Sequence, residues 1–464
     1  MNIITKIKEI IKKIDKYDIC IFFLIFLSFF IVLSILYPGI LTYDSYNQLY
    51  QIEINQFNDW HPFLYTLFEK FCLTIRNNPS SIAIAQILIF AIIWTLVCKY
   101  NRKNTKSFIW QIVITILIIL NPLNPLYAIT LWKDILYCYL ILTACFLMQL
   151  AYDKRFVVST KFLVSFCFVM ALILKIRYNG VIVLFIVIPV FLYLLYKNDK
   201  KSRNYLKMPA YLTISIILIS LLNPIFNVEI KQKDALSQKI VQYIGAFVQQ
   251  DVLEKNDEKF IQQFVDTSKL EKYYNPYYAD TIYECDFNED VYILNKKEVY
   301  RIVIKYTILY PNIFLDFALK STSLIWQVPK PKDNVGTEIE TGVFASNNYM
   351  NLVPKNYDKE FYKRFQSFLQ LTKNNKFLNT ILYNSALYFY ISIIILLVLA
   401  LKYKKNYIII ALPSFANIIS TIPSLPVQDT RYLYNNFLLG YLLLIVLGFY
   451  FFKKNNPKIR RDSF

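Results

Sequence analysis

Long apolar runs alternate with short polar breaks along most of this chain, and the runs have the length of bilayer-crossing helices. A bilayer core takes ~20 apolar residues per helix. By that ruler ten spans are predicted, near 18–37, 80–98, 107–122, 134–152, 161–175, 180–196, 208–225, 382–401, 406–423 and 433–452. Two stretches break the pattern. Residues 38–79 read as two short interfacial helices. Tyr46, Leu49 and Tyr50 share a face of the first, and Leu64, Leu67, Phe68 and Phe71 form an i, i+3, i+4, i+7 stripe on the second. Pro62 suits the first position of that second helix, with His61 at its cap. Residues 226–381 are polar and rich in Tyr, Asn and Lys, with helical patterns around Lys297–Lys320 and Phe361–Leu371 and a loop at VPKPKDNVGTE (328–338). The expected fold is an all-α polytopic membrane protein. It has an N-terminal transmembrane module (1–225), a mainly helical extracytoplasmic domain (226–381) and C-terminal transmembrane helices (382–464). No internal repeat is visible, which argues against a transporter built from duplicated halves.

Composition agrees. Of 464 residues, 56% are hydrophobic and 17% aromatic, more apolar surface than a soluble chain of this length can hide. A net charge of +19 would suit a nucleic-acid binder, but its distribution excludes that partner. Residues 226–381 hold 20 basic and 20 acidic residues, leaving 31 basic against 12 acidic elsewhere. The excess gathers in short loops at Arg102-Lys103, Lys154-Arg155, Lys200-Lys201 and Lys404-Lys405, and at the termini, all on one side of a ten-span chain. Positive-inside bias makes that side cytoplasmic and puts 38–79 and 226–381 outside. Lysines 6, 8, 12, 13 and 16 precede a full-length apolar run without a small-residue cleavage site, so the start reads as a retained signal anchor. Heavy use of Ile, Lys, Asn and Tyr is what AT-rich bacterial coding yields, which suggests a bacterial plasma membrane. Five of the seven cysteines fall in apolar runs; only Cys72 and Cys285 could pair, and no CxxC offers a thiolate zinc site.

The candidate chemistry gathers on the outer side. Asp44 follows Pro38-Gly39 near the start of an interfacial helix, where a carboxylate can take a proton, ligate a hard cation, or merely cap the helix. His61, the only histidine, can hold a metal, orient Asp44, bind a phosphate, or cap the second helix. Trp60 and Asp59 beside it add sugar-stacking and polar capacity. Asp134 beside Lys133 opens the fourth span, where the pair can anchor a helix end. Lys175 and Arg177, before Tyr178-Asn179-Gly180, and Arg431 in Gln428-Asp429-Thr430-Arg431-Tyr432 are outer-side cations. Such groups clamp phosphate or snorkel to headgroups. Aromatics of the outer domain (Tyr273-Tyr274, Tyr277-Tyr278, Trp326) fit sugar faces or plain packing. No Walker loop, GxGxxG or HExxH occurs, which disfavours a cytoplasmic nucleotide-sugar mechanism.

The segments YPGILTYDSYNQ, NDWHPFLYTLF, LWKD, RYNG and DTRY resemble a group of bacterial polytopic proteins near the GT-C glycosyltransferase superfamily, multispan enzymes that use polyprenyl-phosphate-linked sugars. The resemblance covers the spans and outer loops. It implies a GT-C-like fold and transfer of a sugar from a polyprenyl-phosphate donor to a glycan, lipid or protein acceptor at the outer face. Asp44 matches the first-loop catalytic acid, and Asp134 resembles the second-loop acid; both would be ligands if a divalent metal (Mg or Mn) takes part. His61 would organise the site, Arg177, Arg431 and Lys175 would hold the donor phosphate, and Tyr43, Gln48, Trp60, Tyr178 and Asn179 would line the substrate. This chain has Asp44-Ser45 where many members have Asp-Glu. Competing readings are a transporter or flippase of lipid-linked glycans, or a non-catalytic envelope assembly protein.

Overall fold

Each of the ten apolar runs folds as a helix. The computed structural model describes residues 15–102, 105–201, 203–231, 234, 236–328, 352 and 359–454. The loop at VPKPKDNVGTE and the lysines before residue 15 lie outside the described residues but for Val328. The chain runs α1 (Lys16–Ile35), α2 (Tyr43–Glu53), α3 (Phe63–Ile75), α4 (Ser80–Asn101), α5 (Thr105–Leu120), α6 (Leu123–Ala128), α7 (Lys133–Asp153), α8 (Thr160–Ile176), α9 (Gly180–Asn198) and α10 (Asn204–Ser220). Among the described residues seven helical stretches are long and apolar enough to cross a bilayer, α10 counting with its continuation to Ile225, which makes this a multi-pass helical membrane protein. Three of the ten expected spans are shorter: α5, α8 and the helix at Ile408–Thr421 have 16, 17 and 14 residues. At 1.5 Å per residue these reach about 21–26 Å, less than the ~30 Å hydrocarbon core.

The end of the bundle where α1 begins is fixed by charge. Asp15 caps α1 through the backbone amides of Tyr17 and Asp18. Lys99 and Arg102 at the end of α4 reach Asp18 at 2.6 and 2.8 Å, and Arg102 also reaches Asp15. Cations at a helix C-terminus and acids at an N-terminus both follow the helix dipole, so α1 and α4 are clamped antiparallel. Phe29 and Phe90 stack between them further up.

The first outer loop holds the two expected helices, with one inversion of sidedness. In α2, Tyr46 and Leu49 are buried while Tyr50 faces outward. In α3, Tyr65, Thr66 and Glu69 turn inward, whereas Leu64, Leu67 and Phe68 are half-buried and Phe71 is exposed. A helix beside lipid gains by turning its apolar stripe outward and its polar groups toward the protein. The helix also starts one residue later than expected, with Pro62 as the N-cap residue. His61 is thereby displaced from the capping position, and its ring is left to the interior.

After α11 (Leu222–Ile225) the outer domain folds from short helices: α12 (Ser237–Gln249), α13 (Lys255–Ile261), α14 (Thr267–Tyr273), a 3₁₀ turn (Ala279–Cys285), α15 (Glu289–Leu294), α16 (Lys296–Leu309), α17 (Pro311–Ser321) and α18 (Ser323–Trp326). It has its own core of Val241, Ile244, Phe247, Ile282, Tyr292, Ile302 and Tyr306, among others. Cys72 and Cys285 are both free. The chain closes with α19 (Lys359–Asn374), α20 (Lys376–Tyr383), α21 (Ser385–Tyr403), α22 (Ile408–Thr421), a 3₁₀ turn (Thr430–Leu433) and α23 (Tyr434–Lys454). Among the described residues β-pairing is limited to isolated bridges. Two of them, Asn58–Glu229 and Tyr278–Val427, tie the outer domain to the first and last outer loops.

Candidate functional site

The site is assembled from the ends of helices. Thr42 precedes α2 in extended backbone, its amide donating to Ser45 Oγ. The Ser45 hydroxyl donates to the Leu131 carbonyl at 2.8 Å, and Trp132 Nε1 donates to Thr42 Oγ1 at 2.7 Å. Ile40 and the 129–131 segment exchange backbone bonds beneath them. The start of α2 is thus sewn to the start of α7. Ser45 is fully buried in this seam; at the position after the acid this chain needs a small hydroxyl, not a second carboxylate.

Asp44 emerges in the first turn of α2, where the helix dipole favours its charge. Three cationic or imidazole groups from three other segments converge on it. Arg431 Nη1 lies 3.4 Å from Oδ2, Lys133 Nζ 4.0 Å from Oδ2, and His61 Nε2 3.7 Å from Oδ1. Lys133 Nζ also stands 3.1 Å from His61 Nδ1. An ammonium only donates, so Nδ1 accepts and the imidazole proton sits on Nε2, facing Asp44. Burial by itself would raise the Asp44 pKa; Lys133, Arg431 and His61 together overcome that and hold it at about 2. The carboxylate is one-third exposed, so it is charged and reachable at once.

A second pair lies deeper. Asp134, in the first turn of α7, is buried and faces Arg177 Nε at 3.2 Å. The Arg177 guanidinium sits against the rings of Tyr137 and Tyr432, at 5.4 and 4.9 Å, and its Nη1 is buried without a hydrogen-bond partner. Arg431 lies over Trp132 at 4.5 Å and is backed by Asp429, whose carboxylate also accepts the Arg431 amide. Below, Tyr137, Asn417, Asn435 and Ser414 form a buried hydrogen-bonded chain. The result is an alternation of three carboxylates with two guanidinium groups and the Lys133 amine, each packed on an aromatic surface or anchored by a helix start. Asp44 and Asp134 are both matched by cations, and no group of three or more His, Cys, Asp or Glu able to hold a metal occurs among the described residues. This donor set does not fit Mg or Mn, because a divalent cation would meet the side-chain cations already there.

The remaining expected residues divide. Tyr43 and Trp60 are exposed at the mouth. Tyr178 donates from its hydroxyl to the Asp59 carbonyl, holding the Trp60-His61 turn from the α8–α9 corner. Asn179 binds the Ser420 carbonyl and Ser424 Oγ, which ties that corner to the last outer loop. Gln48 is buried and donates to Thr66 Oγ1 at 3.0 Å, a packing bond between α2 and α3. Lys175 is half-buried and makes no ion pair among the described residues.

Three groups escaped the sequence reading as site members. Lys133 was weighed there only as a helix anchor. Glu69, on the inward face of α3, is fully buried with both carboxylate oxygens unpartnered; burial lifts its pKa well above the usual range, with Lys133 pulling the other way. Asp280 comes from the outer domain. Its neighbour Ala279 donates to the Pro426 carbonyl at 2.6 Å, and this brings Asp280 into the field of the cluster. Burial raises its pKa, opposed by Arg431 and reinforced by Asp44. A regular i, i+4 pattern could have marked Glu69 as the one acid on an otherwise uncharged inward face; nothing in the sequence marks Asp280. Asn55, Phe57, Lys70, Phe226, Asn227 and Glu229 line a cavity of about 570 Å³ between the 38–79 loop and the start of the 226–381 domain. No protein-family model, curated protein or solved structure matches this chain.

Proposed function

We propose that this protein is a membrane glycosyltransferase of GT-C type, moving a sugar from a polyprenyl-phosphate carrier to a glycan, lipid or protein acceptor at the outer face of a bacterial plasma membrane. In this reading both termini are cytoplasmic, and residues 38–79 and 226–381 lie outside. The observation that carries it is the convergence of Arg431, Lys133 and His61 on the reachable Asp44 carboxylate. Cations so arranged suit a phosphate whose charge grows as the sugar–phosphate bond breaks.

The resting geometry also gives a switch in basicity. While Arg431 and Lys133 face Asp44, its pKa near 2 makes it a poor base. A donor phosphate drawing those cations toward itself raises the carboxylate's proton affinity, so Asp44 becomes able to take the acceptor's hydroxyl proton once the donor is bound. His61, its proton on Nε2, keeps the carboxylate oriented. Arg177 and Asp134 form the floor, and the exposed Trp60 and Tyr43 offer ring faces to the sugar. The 570 Å³ cavity, lined by amides, Glu229 and Lys70 with its ammonium over the Phe57 and Phe226 rings, offers polar groups to a saccharide acceptor. Purified protein in nanodiscs, given radiolabelled polyprenyl-phosphate hexoses and pentoses with cell-envelope acceptors, tests the reading. It requires labelled acceptor and free polyprenyl phosphate in equal amounts.

A further inference from the structure

Helices α16 and α17 form a bent pair, turning by 106° at Tyr310, and together they are apolar enough to pass as a membrane segment although they belong to the outer domain. Their inner faces, with Val299, Ile302, Tyr306 and Phe317, fill the domain core. On the other side Ile304, Ile308, Leu309, Phe314, Leu315 and Leu319 are all exposed, each by more than 40%. A continuous apolar surface of this kind on a folded domain calls for a partner.

The occupant follows from how the pair is held. The Ser321 carbonyl, at the end of α17, accepts from Gln428 at 2.9 Å and faces Lys239, which also donates to the Leu425 carbonyl at 3.0 Å. The next helix, α18, is bound through Leu324 to Gln428 and to Ser385 at the start of the span α21. Trp326 and Tyr390, both exposed aromatics, meet there through the Tyr390 hydroxyl; aromatic residues of this kind mark the membrane–water boundary. The end of α17 is therefore pinned at the outer rim of the bundle. An 11-residue helix extends only about 16 Å, so the exposed surface stays close to that rim. Polarity runs the same way: the first turns of α16 carry Lys296, Lys297, Arg301 and Lys305, of which Lys296 pairs with Asp234, Arg301 with Asp257 and Glu298, and Lys305 with Glu254 and Asp257, and the apolar positions follow toward the bend. Asp316 on α17 is neutralised by Lys320 at 2.8 Å.

We propose that the α16–α17 bend is seated in the outer leaflet of the bilayer, as a re-entrant wedge that fixes the outer domain over the site. The partner is lipid, with the polar, ion-paired first turns of α16 at the headgroups and Ile308, Leu309 and Leu315 among acyl chains. The inference does not depend on the glycosyltransferase reading.

Spin labels on the full-length protein in nanodiscs test it. Ile308→Cys and Leu315→Cys, with the exposed Cys20 replaced by Ser, are compared with Glu271→Cys on the exposed side of α14. A lipid seat makes labels at 308 and 315 accessible to oxygen and shielded from nickel-EDDA, a positive depth parameter, and leaves 271 with a negative one. Nickel-EDDA access at 308 and 315 equal to that at 271 overturns the proposal. Labels that are immobile and closed to both reagents also overturn it, since they would indicate a protein partner or a second copy.

Discussion

Arg431 and Asp44 lie 387 positions apart in the chain and stand 3.4 Å apart in the fold. The contact joins the first outer loop to the last, and it exists because each residue is fixed by its own local device. Asp44 is presented by the α2 start sewn to Leu131 and Trp132. Arg431 is held by Asp429, which caps its backbone and pairs its Nε at 3.2 Å.

Replacing Arg431 with Lys keeps the charge but loses both the planar fork and the stacking on Trp132. A charge-assisted hydrogen bond contributes ~1.5–3 kcal/mol, which is about ten- to a hundred-fold in rate if it acts on the departing phosphate. Steady-state kinetics of Arg431→Lys should show that loss in kcat, with the thermal unfolding midpoint little changed.

Glu69 carries an unpartnered buried carboxyl at no evident structural gain. An unsatisfied buried polar group costs ~1–3 kcal/mol, so Glu69→Leu should raise the unfolding midpoint in detergent. A lowered midpoint would mean that the carboxyl is satisfied in the folded protein by a group such as bound water.

Lys239 gives a pH dependence with a definite sign. Burial lowers its pKa to about 7 in the folded protein, against about 10.4 when unfolded. Between those values the unfolded chain binds more protons, so this residue makes stability rise as the pH climbs from 7 toward 10; below 7 the lysine is protonated in both states and adds no further slope. Lys239→Met should flatten that part of the stability–pH curve; an unchanged slope would show that the lysine titrates normally.

Much of the fold was legible because membrane spans announce themselves by length. All ten apolar runs became helices, and Asp44, His61 and Arg431 came together as the outer-loop reading required. What could not be read was sidedness and tertiary pairing. Gln48 lies in a polar, exposed-looking segment yet is paired with Thr66, because α2 and α3 pack against each other there and bury both groups. Lys133 looked like a helix anchor because its partners His61 and Asp44 lie 72 and more positions away. Asp280 sits in a domain with no periodic signal at that point, and it reaches the site only through the backbone bond from Ala279 to Pro426. The metal reading of Asp44 and His61 rested on donor type, and the cations around Asp44 and Asp134 were invisible to it. Transfer should therefore persist in excess EDTA; its abolition by EDTA and restoration by Mg or Mn would contradict the cation-matched site.

The most direct measurement compares wild type and Asp44→Asn, purified in nanodiscs, for transfer of label from the polyprenyl-phosphate sugar that wild type consumes. The account predicts equal yield and unfolding behaviour of the two proteins, with product from Asp44→Asn indistinguishable from background. Transfer by Asp44→Asn at the wild-type rate would contradict it.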